Sequence, residues 1–521
     1  MIRTRTVLCV VSLALAGLVG MPASPAAAPP AALTRGDLRW LARVTFGIDT
    51  AIVARFRALG RVKFLDEQLH PPSSDPTSLA AAIAAIPVTQ QTAEARVAAN
   101  RASQQLINTL TNEDDKQKAR DAINQAGNQV VYETTKRQLM RALESPSQMR
   151  EQMTWFWMNH FSVFFGKANV RWTLAEYEEQ VVRAHALGKF SDLVLATATS
   201  PAMLEYLDNA QSAVGKINEN YARELMELHT LGVSGGPSGS TYTQADVQEL
   251  ARVLTGAGLN LAGVPPKVPA NQQALYLRRG LFEFNPARHD FGAKTLLGRT
   301  IAGKGLPELD AAVALLCAQP ATARYISTKL ATYFIADEPP PPLVARMTRT
   351  FQKTDGSIPA VLREMFLDPA FIAGLNAQTP ALEKFKDPMQ FVVSSMRLAY
   401  DGKTITNYRP AIGWLQQLGE PLYGRVTPDG YPLTEAAWSS SGQMVRRFEI
   451  ARAIGSGNAG LFNNDDNTPG PTTGFPMLTS RLFFDAIDPA LGARAHDALA
   501  RTSSQQEWNM ILLASPDWMQ R

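Results

Sequence analysis

Two cysteines in 521 residues leave no room for a disulfide framework. Cys9 falls within an N-terminal apolar run. Once that run is removed Cys317 is the only thiol, and an intramolecular disulfide is excluded even in an oxidising compartment. Blocks of five or six like charges are missing too. The formal net charge is only +4, and Arg3 and Arg5 supply two of it, so a nucleic-acid surface has no electrostatic footprint. The N-terminal apolar run is too short for a stable membrane span. H-E-x-x-H, paired C-x-x-C and P-loop strings do not occur, which removes the common zinc and nucleotide motifs.

What is present begins with "MIRTRTVLCVVSLALAGLVGMPASPAAA". Arg3 and Arg5 form a positive start, an apolar stretch follows, and Ser24, Pro25 and Ala26 suit a small-residue cleavage site. This predicts a secretory signal peptide over 1–26 and a periplasmic or secreted protein. Cys9 lies inside the apolar stretch, which argues against a lipoprotein anchor. The arginines are not adjacent, which argues against twin-arginine export. About 495 residues remain, enough for more than one core-sized unit. Hydrophobic content of 45% and charged content of 19% are those of an ordinary globular protein.

The pattern is mainly α, an irregular multi-helix assembly. A helical run, a small or polar residue, a proline and a second apolar run recur in "LESPSQMREQM", "ATSPAMLEYL", "CAQPATARYI", "FLDPAFIAGL" and "LASPDWMQR". The residue before proline is pushed out of the helical region, and proline suits the first turn of the next helix. Ser145, Ser200 and Asp368 are placed to cap those helices, with Ser145 and Gln148 as a capping box. Thr243 and Asp246 open another capped helix, for which Gly256 is the stop. Residues 89–128 read as an exposed helix or helical hairpin. Aromatic alternation and turn signals predict a small β-hairpin insert near 275–300. The chain therefore divides into an N-terminal helical region at 27–260, a β-rich insert at 261–300 and a C-terminal helical region at 301–521. Loops are expected at 235–240, 338–342 and 455–475, and Cys317 reads as a buried structural thiol.

Two strings match motifs whose context fails. "GVSGG" around Ser234 has the nucleophile-elbow form, but a helix precedes it where a strand is required. "GSGNAG" at 455–460 has the dinucleotide form, yet again follows a helix and opens into a loop. Both read as glycine-terminated helices.

The densest polar stretch is "NENYARELMELHTLGV" at 218–233. On a helical wheel Glu219, Asn220, Arg223, Glu224 and Glu227 fall within about 140°. Arg223 is spaced to pair with both Glu219 and Glu227. His229 belongs to the apolar side, and Glu224 and His229 are five apart, which is not di-iron ligand spacing. The plain reading is an ion-paired wet face with a histidine at the core edge. The sharper reading takes Glu219, Arg223, Glu224 and Glu227 as catalytic candidates lining a polar pocket, with Asp208 and Asn209 nearby. His160, in the aromatic run "QMTWFWMNHFSVFFG", and His289 with Asp290, in the turn "NPARHDFGAK", join His229 as candidate ligands of a divalent metal if their segments converge. For a catalytic pocket, hydrolysis is the expected class, with a carboxylate base and Arg223 or a metal facing developing negative charge.

The stretches "LARVTFGIDTAIVARFRALGRVKFLDEQL", "MREQMTWFWMNHF", "LATATSPAMLEYLDNAQSAVGKINENYARELMELHTLGV", "YTQADVQELARVLTGAGL", "HDFGAKTLLG" and "QPATARYISTKLATYF" resemble, in order, the exported bacterial proteins grouped as domain-of-unknown-function 1800. The resemblance covers nearly all of 27–521 as one family unit. It implies a mainly helical exported protein and brings no assigned activity, substrate or cofactor. It also implies an exported sulfatase-like partner protein. Met158 stands where a second histidine is usual, and "TPDGYPLTEAAW" replaces a Gly-Trp-Pro phrase. The alternative to an enzyme is a scaffold that binds this partner or an envelope polymer.

Overall fold

The expected helix starts are mostly present, and their caps show why. In the computed structural model, Thr243 accepts the Asp246 amide while the Asp246 carboxylate accepts the Thr243 amide, opening helix Gln244–Leu254. Asp368 accepts from the Phe371 amide at 2.9 Å. Pro201, Pro320, Pro369 and Pro516 each begin a helix, where the missing N–H costs nothing. One joint differs. Helix Gln148–His160 is preceded by Ser147, with no side-chain cap. Ser145 instead accepts from the Ser147 amide, and Gln148 Nε2 donates to the Ser145 and Ala142 carbonyls. The side chains that would have made the capping box thus tie off the preceding helix, Glu113–Glu144. Ser200 precedes its helix without a side-chain cap bond.

The structure describes residues 33–233, 241–377, 379–466, 468–470 and 474–521. The signal-peptide reading with Cys9, the 235–240 loop and the elbow serine Ser234 lie outside them. The described part of 33–521 packs as one unit, mainly α with two small antiparallel sheets. No helix among the described residues is long and apolar enough to cross a membrane.

Two helices run through the core. Helix Pro388–Tyr400 is buried along its whole length, and Gln148–His160 is buried save for Asn159. Neither has a polar face for water, so their polar side chains must pair internally. Gln390 of one donates to Gln152 of the other at 2.7 Å. Trp157, Phe156 and Phe161 are each at most 1% exposed. Burying each contributes roughly 1.5–3 kcal/mol or more relative to exposure.

The β part is slightly larger than the hairpin expected. Strands β1 (Ala257–Leu259), β2 (Leu277–Arg279) and β3 (Phe282–Phe284) form a sheet in the order β1-β3-β2. Strands β4 (Lys294–Leu296) and β5 (Arg299–Ile301) pair separately. Their link, Leu297-Gly298, has φ of 48° and 73°, the turn type that matches strand twist. Strand β1 comes from before the 261–300 segment, so the sheet joins that segment to the N-terminal helical region. "GSGNAG" does end a helix: Gly457, with φ 71°, caps Ser441–Ser456. Cys317 is half-buried against the core, and burial pushes its thiol pKa up.

Candidate functional site: a buried histidine pair and a lysine

The acidic stretch is not one regular helix. Asn220–Glu224 is α-helical, and Leu225–Thr230 widens into a π-helix. The Leu231 amide reaches back five residues to the Met226 carbonyl at 2.8 Å, and Thr230 Oγ1 donates to the Leu225 carbonyl at 2.7 Å. Gly232, at φ 85°, follows the helix, and a Cβ there would stand 3.0 Å from the Tyr325 ring. Such widened turns are frequent at functional sites, where they redirect side chains and carbonyls.

The redirected carbonyl is that of His229. It lies 3.1 Å from His160 Nε2, and Lys329 Nζ lies 3.0 Å from His160 Nδ1. A carbonyl can only accept, so His160 carries its proton on Nε2, and its Nδ1 accepts from the lysine. Tyr325 and Lys329 are one turn apart on helix Pro320–Phe334 and therefore share a face. The ammonium stands 5.5 Å from the Tyr325 ring centre. Phe156, Trp157, Phe161 and Phe190 surround the His160 ring. The His160 and His229 ring centres are 6.1 Å apart.

This enclosure sets the charges. Burial first, then the Lys329 ammonium, pushes His229 down to about 3. Burial, Lys329 and His229 together hold His160 well below the usual imidazole range. Both are neutral at physiological pH. Burial also lowers Lys329 to about 8, against the opposing pull of Asp429. Among the described residues no carboxylate lies within ion-pairing distance, 4.0 Å, of Lys329. His229 is fully buried, and neither ring nitrogen has a hydrogen-bond partner among the described residues. An orphaned buried nitrogen is costly and marks a place where a ligand or water group fits.

The expected ion-pair ladder borders this centre. Arg223 lies 3.4 Å from Glu219 and 3.9 Å from Glu227, and Gln244 bridges Glu219 and Arg223. Glu224 is half-buried and raised by burial first, then by Glu227, with Asp429 adding to the effect. Asp429 belongs to a loop held by Arg425 and Thr427. That loop is fixed to the histidine helix by Asn159, which accepts from the Tyr431 amide at 2.6 Å and donates to its carbonyl at 3.0 Å. Tyr206 fixes it from the other side, donating to the Val426 carbonyl at 2.8 Å.

The remaining candidates each have partners of their own. His289 Nδ1 contacts the Thr255 carbonyl at 2.7 Å, and Nε2 contacts Glu308 at 2.9 Å. Glu308 also pairs with Lys294 and accepts from the Lys304 and Gly305 amides. Asp290 is held by Arg252 at 2.9 Å, which lowers it to about 2. These bonds anchor the β segment to helix Gln244–Leu254. Asp208 pairs with Lys167, Asn209 donates to the Leu254 and Ala257 carbonyls, and Asn220 donates to the Leu207 carbonyl. The structure thus joins His160 to His229, and His289 with Asp290 elsewhere. No group of three or more His, Cys, Asp or Glu among the described residues could hold a metal ion.

Sequence reasoning missed Lys329. Its signal was present: a lysine one turn from Tyr325 in the small-residue helix "PATARYISTKLATYF". It also missed a second π-helix, Tyr177–Arg183, whose Glu178, Glu179 and Arg183 enter a buried charge cluster. Arg137 meets Glu178 at 2.7 Å, and Arg183 meets Glu151 and Asp75 at 2.9 and 3.0 Å. Arg141 bonds Asp75 and Glu179, and Arg150 reaches Asp75. Four arginines against four carboxylates leave no net charge. The cluster borders a polar cleft of about 640 Å³.

The fold and this centre define a mainly helical protein with a neutral histidine pair set against a lysine that has no carboxylate partner among the described residues. The family model described as "Protein of unknown function (DUF1800)" matches residues 39–520, and the chain belongs to that family. No curated protein and no solved structure matches it.

Proposed function

We propose that this protein is an exported hydrolase whose general base is the amine of Lys329. The observation that carries the reading is the 3.0 Å contact between Lys329 Nζ and His160 Nδ1, made without a carboxylate partner among the described residues. A lysine titrating near 8 is a free amine in a useful fraction of molecules near neutrality, which suits proton abstraction. His160 accepts one N–H of that amine and so orients its lone pair. The His229 carbonyl fixes the tautomer that lets His160 do so. The open nitrogens of His229 supply hydrogen bonds to substrate or water. Arg223, Glu224 and Glu227 form a polar rim for a substrate with hydroxyl or charged groups.

The donors do not fit a zinc-type ion. His160 uses both ring nitrogens, which leaves His229 without a second imidazole to share a metal with. The reading is therefore a base-assisted hydrolysis by side chains. The basic start and apolar stretch of 1–26 support export.

The test combines labelling with activity. A limiting amine-reactive ester at pH 7.5, mapped by mass spectrometry, should acylate Lys329 ahead of the exposed Lys118. Chromogenic ester, amide, glycoside and phosphate panels should reveal a hydrolysis that rises toward pH 8 and falls at least about 100-fold in Lys329→Met. Equal labelling of both lysines, or activity unchanged in Lys329→Met, would overturn the proposal.

A further inference from the structure

Away from the histidine pair, the N-terminal helix Arg35–Val44, the segment 386–394, the turns at 486–491 and the last residues of the chain enclose a pocket of about 80 Å³. Its composition is one-sided. Arg35, Arg39, Lys386 and Arg521 line it, and among the described side chains the only carboxylate in its wall is that of Asp517. Asp517 is 3.9 Å from Arg35, which accounts for one cation. Arg521 stacks on Tyr333, with its guanidinium carbon 4.7 Å from the ring centre, and its Nε has no partner among the described residues.

Lys386 is the strongest indicator. It is 4% exposed, and its ammonium rests 3.6 Å from the Trp518 ring centre. Among the described residues it has no carboxylate within 4.0 Å and no side-chain hydrogen bond. Arg39 likewise has no ion pair there. Burial, with Arg447 and Arg521 adding to it, holds Lys386 well below the usual lysine range. A buried ammonium held only against an aromatic face is expensive unless an anion compensates it. Leu38, Ile48, Ile487 and Leu491 give the wall an apolar part, beside the uncharged polar Gln390, Ser394 and Gln520.

We propose that this pocket binds a small organic monoanion, a short-chain carboxylate, with its head on Lys386 and Arg39 and its hydrocarbon end against Leu38 and Ile487. The cations select the charge. The apolar wall selects a carbon chain over an inorganic anion, which would leave that wall wet. The volume exceeds the roughly 10–15 Å³ of such space that one water needs, so the pocket admits a small organic acid. The inference is independent of the hydrolase reading, and the pocket is built from different elements.

Butyrate is the probe, titrated by calorimetry and thermal shift into the mature full-length chain. Saturable binding with a rise in Tm is expected. Butanol and butylammonium should give neither, and sulfate should bind no better than it does to Lys386→Met. Lys386→Met should weaken butyrate at least about tenfold, the loss of one charge-assisted hydrogen bond. Ala490→Leu, which fills the pocket from its partly exposed turn without altering a charge, should weaken it as much. Circular dichroism of both variants checks the fold. Absence of saturable binding by the parent chain, equal binding of butanol, or unchanged affinity in the folded variants would each overturn the proposal.

Discussion

His160 Nε2 lies 3.1 Å from the main-chain oxygen of His229, so a side chain of one helix satisfies a carbonyl at the end of another. That bond needs a neutral, Nε2-protonated His160, and it leaves Nδ1 to accept from Lys329 at 3.0 Å. A second proton on His160 would place two cations in contact. The aromatic shell, the lysine and the π-turn thus require the same protonation state.

The first prediction concerns acid stability. His229 titrates near 3 when folded and near 6.5 when unfolded. Between these values the unfolded chain binds the extra proton, so stability is lost as pH falls from about 6.5 toward 3. By pH 4.5 the loss from this residue is on the order of 2–3 kcal/mol. Urea unfolding of His229→Phe should show a correspondingly shallower pH slope. Identical slopes would show that His229 is not buried neutral.

Lys329 carries the opposite lesson about stability and use. Its folded pKa near 8 lies below the unfolded value, so folding opposes its protonation, and stability rises with pH between about 8 and 10.5. At pH 7 the charged lysine costs stability. Lys329→Met should therefore gain about 1–3 kcal/mol at pH 7 while losing hydrolysis, the pattern expected where a site trades stability for chemistry. A destabilised Met variant would mark the lysine as structural.

Arg223 forms a surface ladder, its side chain 39% exposed. Exposed pairs are worth little because water and salt screen them. Arg223→Ala should cost less than about 1 kcal/mol, and about 1 M salt should erase most of that cost. A larger, salt-insensitive loss in denaturant unfolding would contradict the surface assignment.

The pair Arg137–Glu178 is the contrasting case, with side chains 5% and 0% exposed. Removing one partner strands a buried charge and should cost roughly 3–5 kcal/mol. Arg137→Met should show this, whereas Arg137→Met combined with Glu178→Leu should recover at least half of it. Additive losses in the double variant would argue that the cluster is held by packing alone.

Local features were legible in the residues. The Thr243–Asp246 cap, the proline-led helix starts, the Arg223 ladder and the glycine ends each depend on side chains within one turn of one another. The Ser145 cap failed because Gln148 found better acceptors in the carbonyls of the preceding helix. The wheel drawn for 218–233 assumed a uniform 100° step, and the π-turn broke that step after Glu224. Nothing in "ELMELHT" announces the widening, because a π-turn survives only where packing around it repays the strain.

By itself the sequence determined a mainly helical family member, its short-range caps and pairs, and a segment where charge and histidine crowd together. The tertiary structure decided which of those groups meet. His160 and Lys329 are separated by 169 positions, as far beyond periodicity as His289, which shares the same composition cues yet serves the β segment. Side chains within a turn meet because the backbone geometry forces them to. Side chains on different helices meet only where the whole core packs so, and no spacing along the chain encodes that.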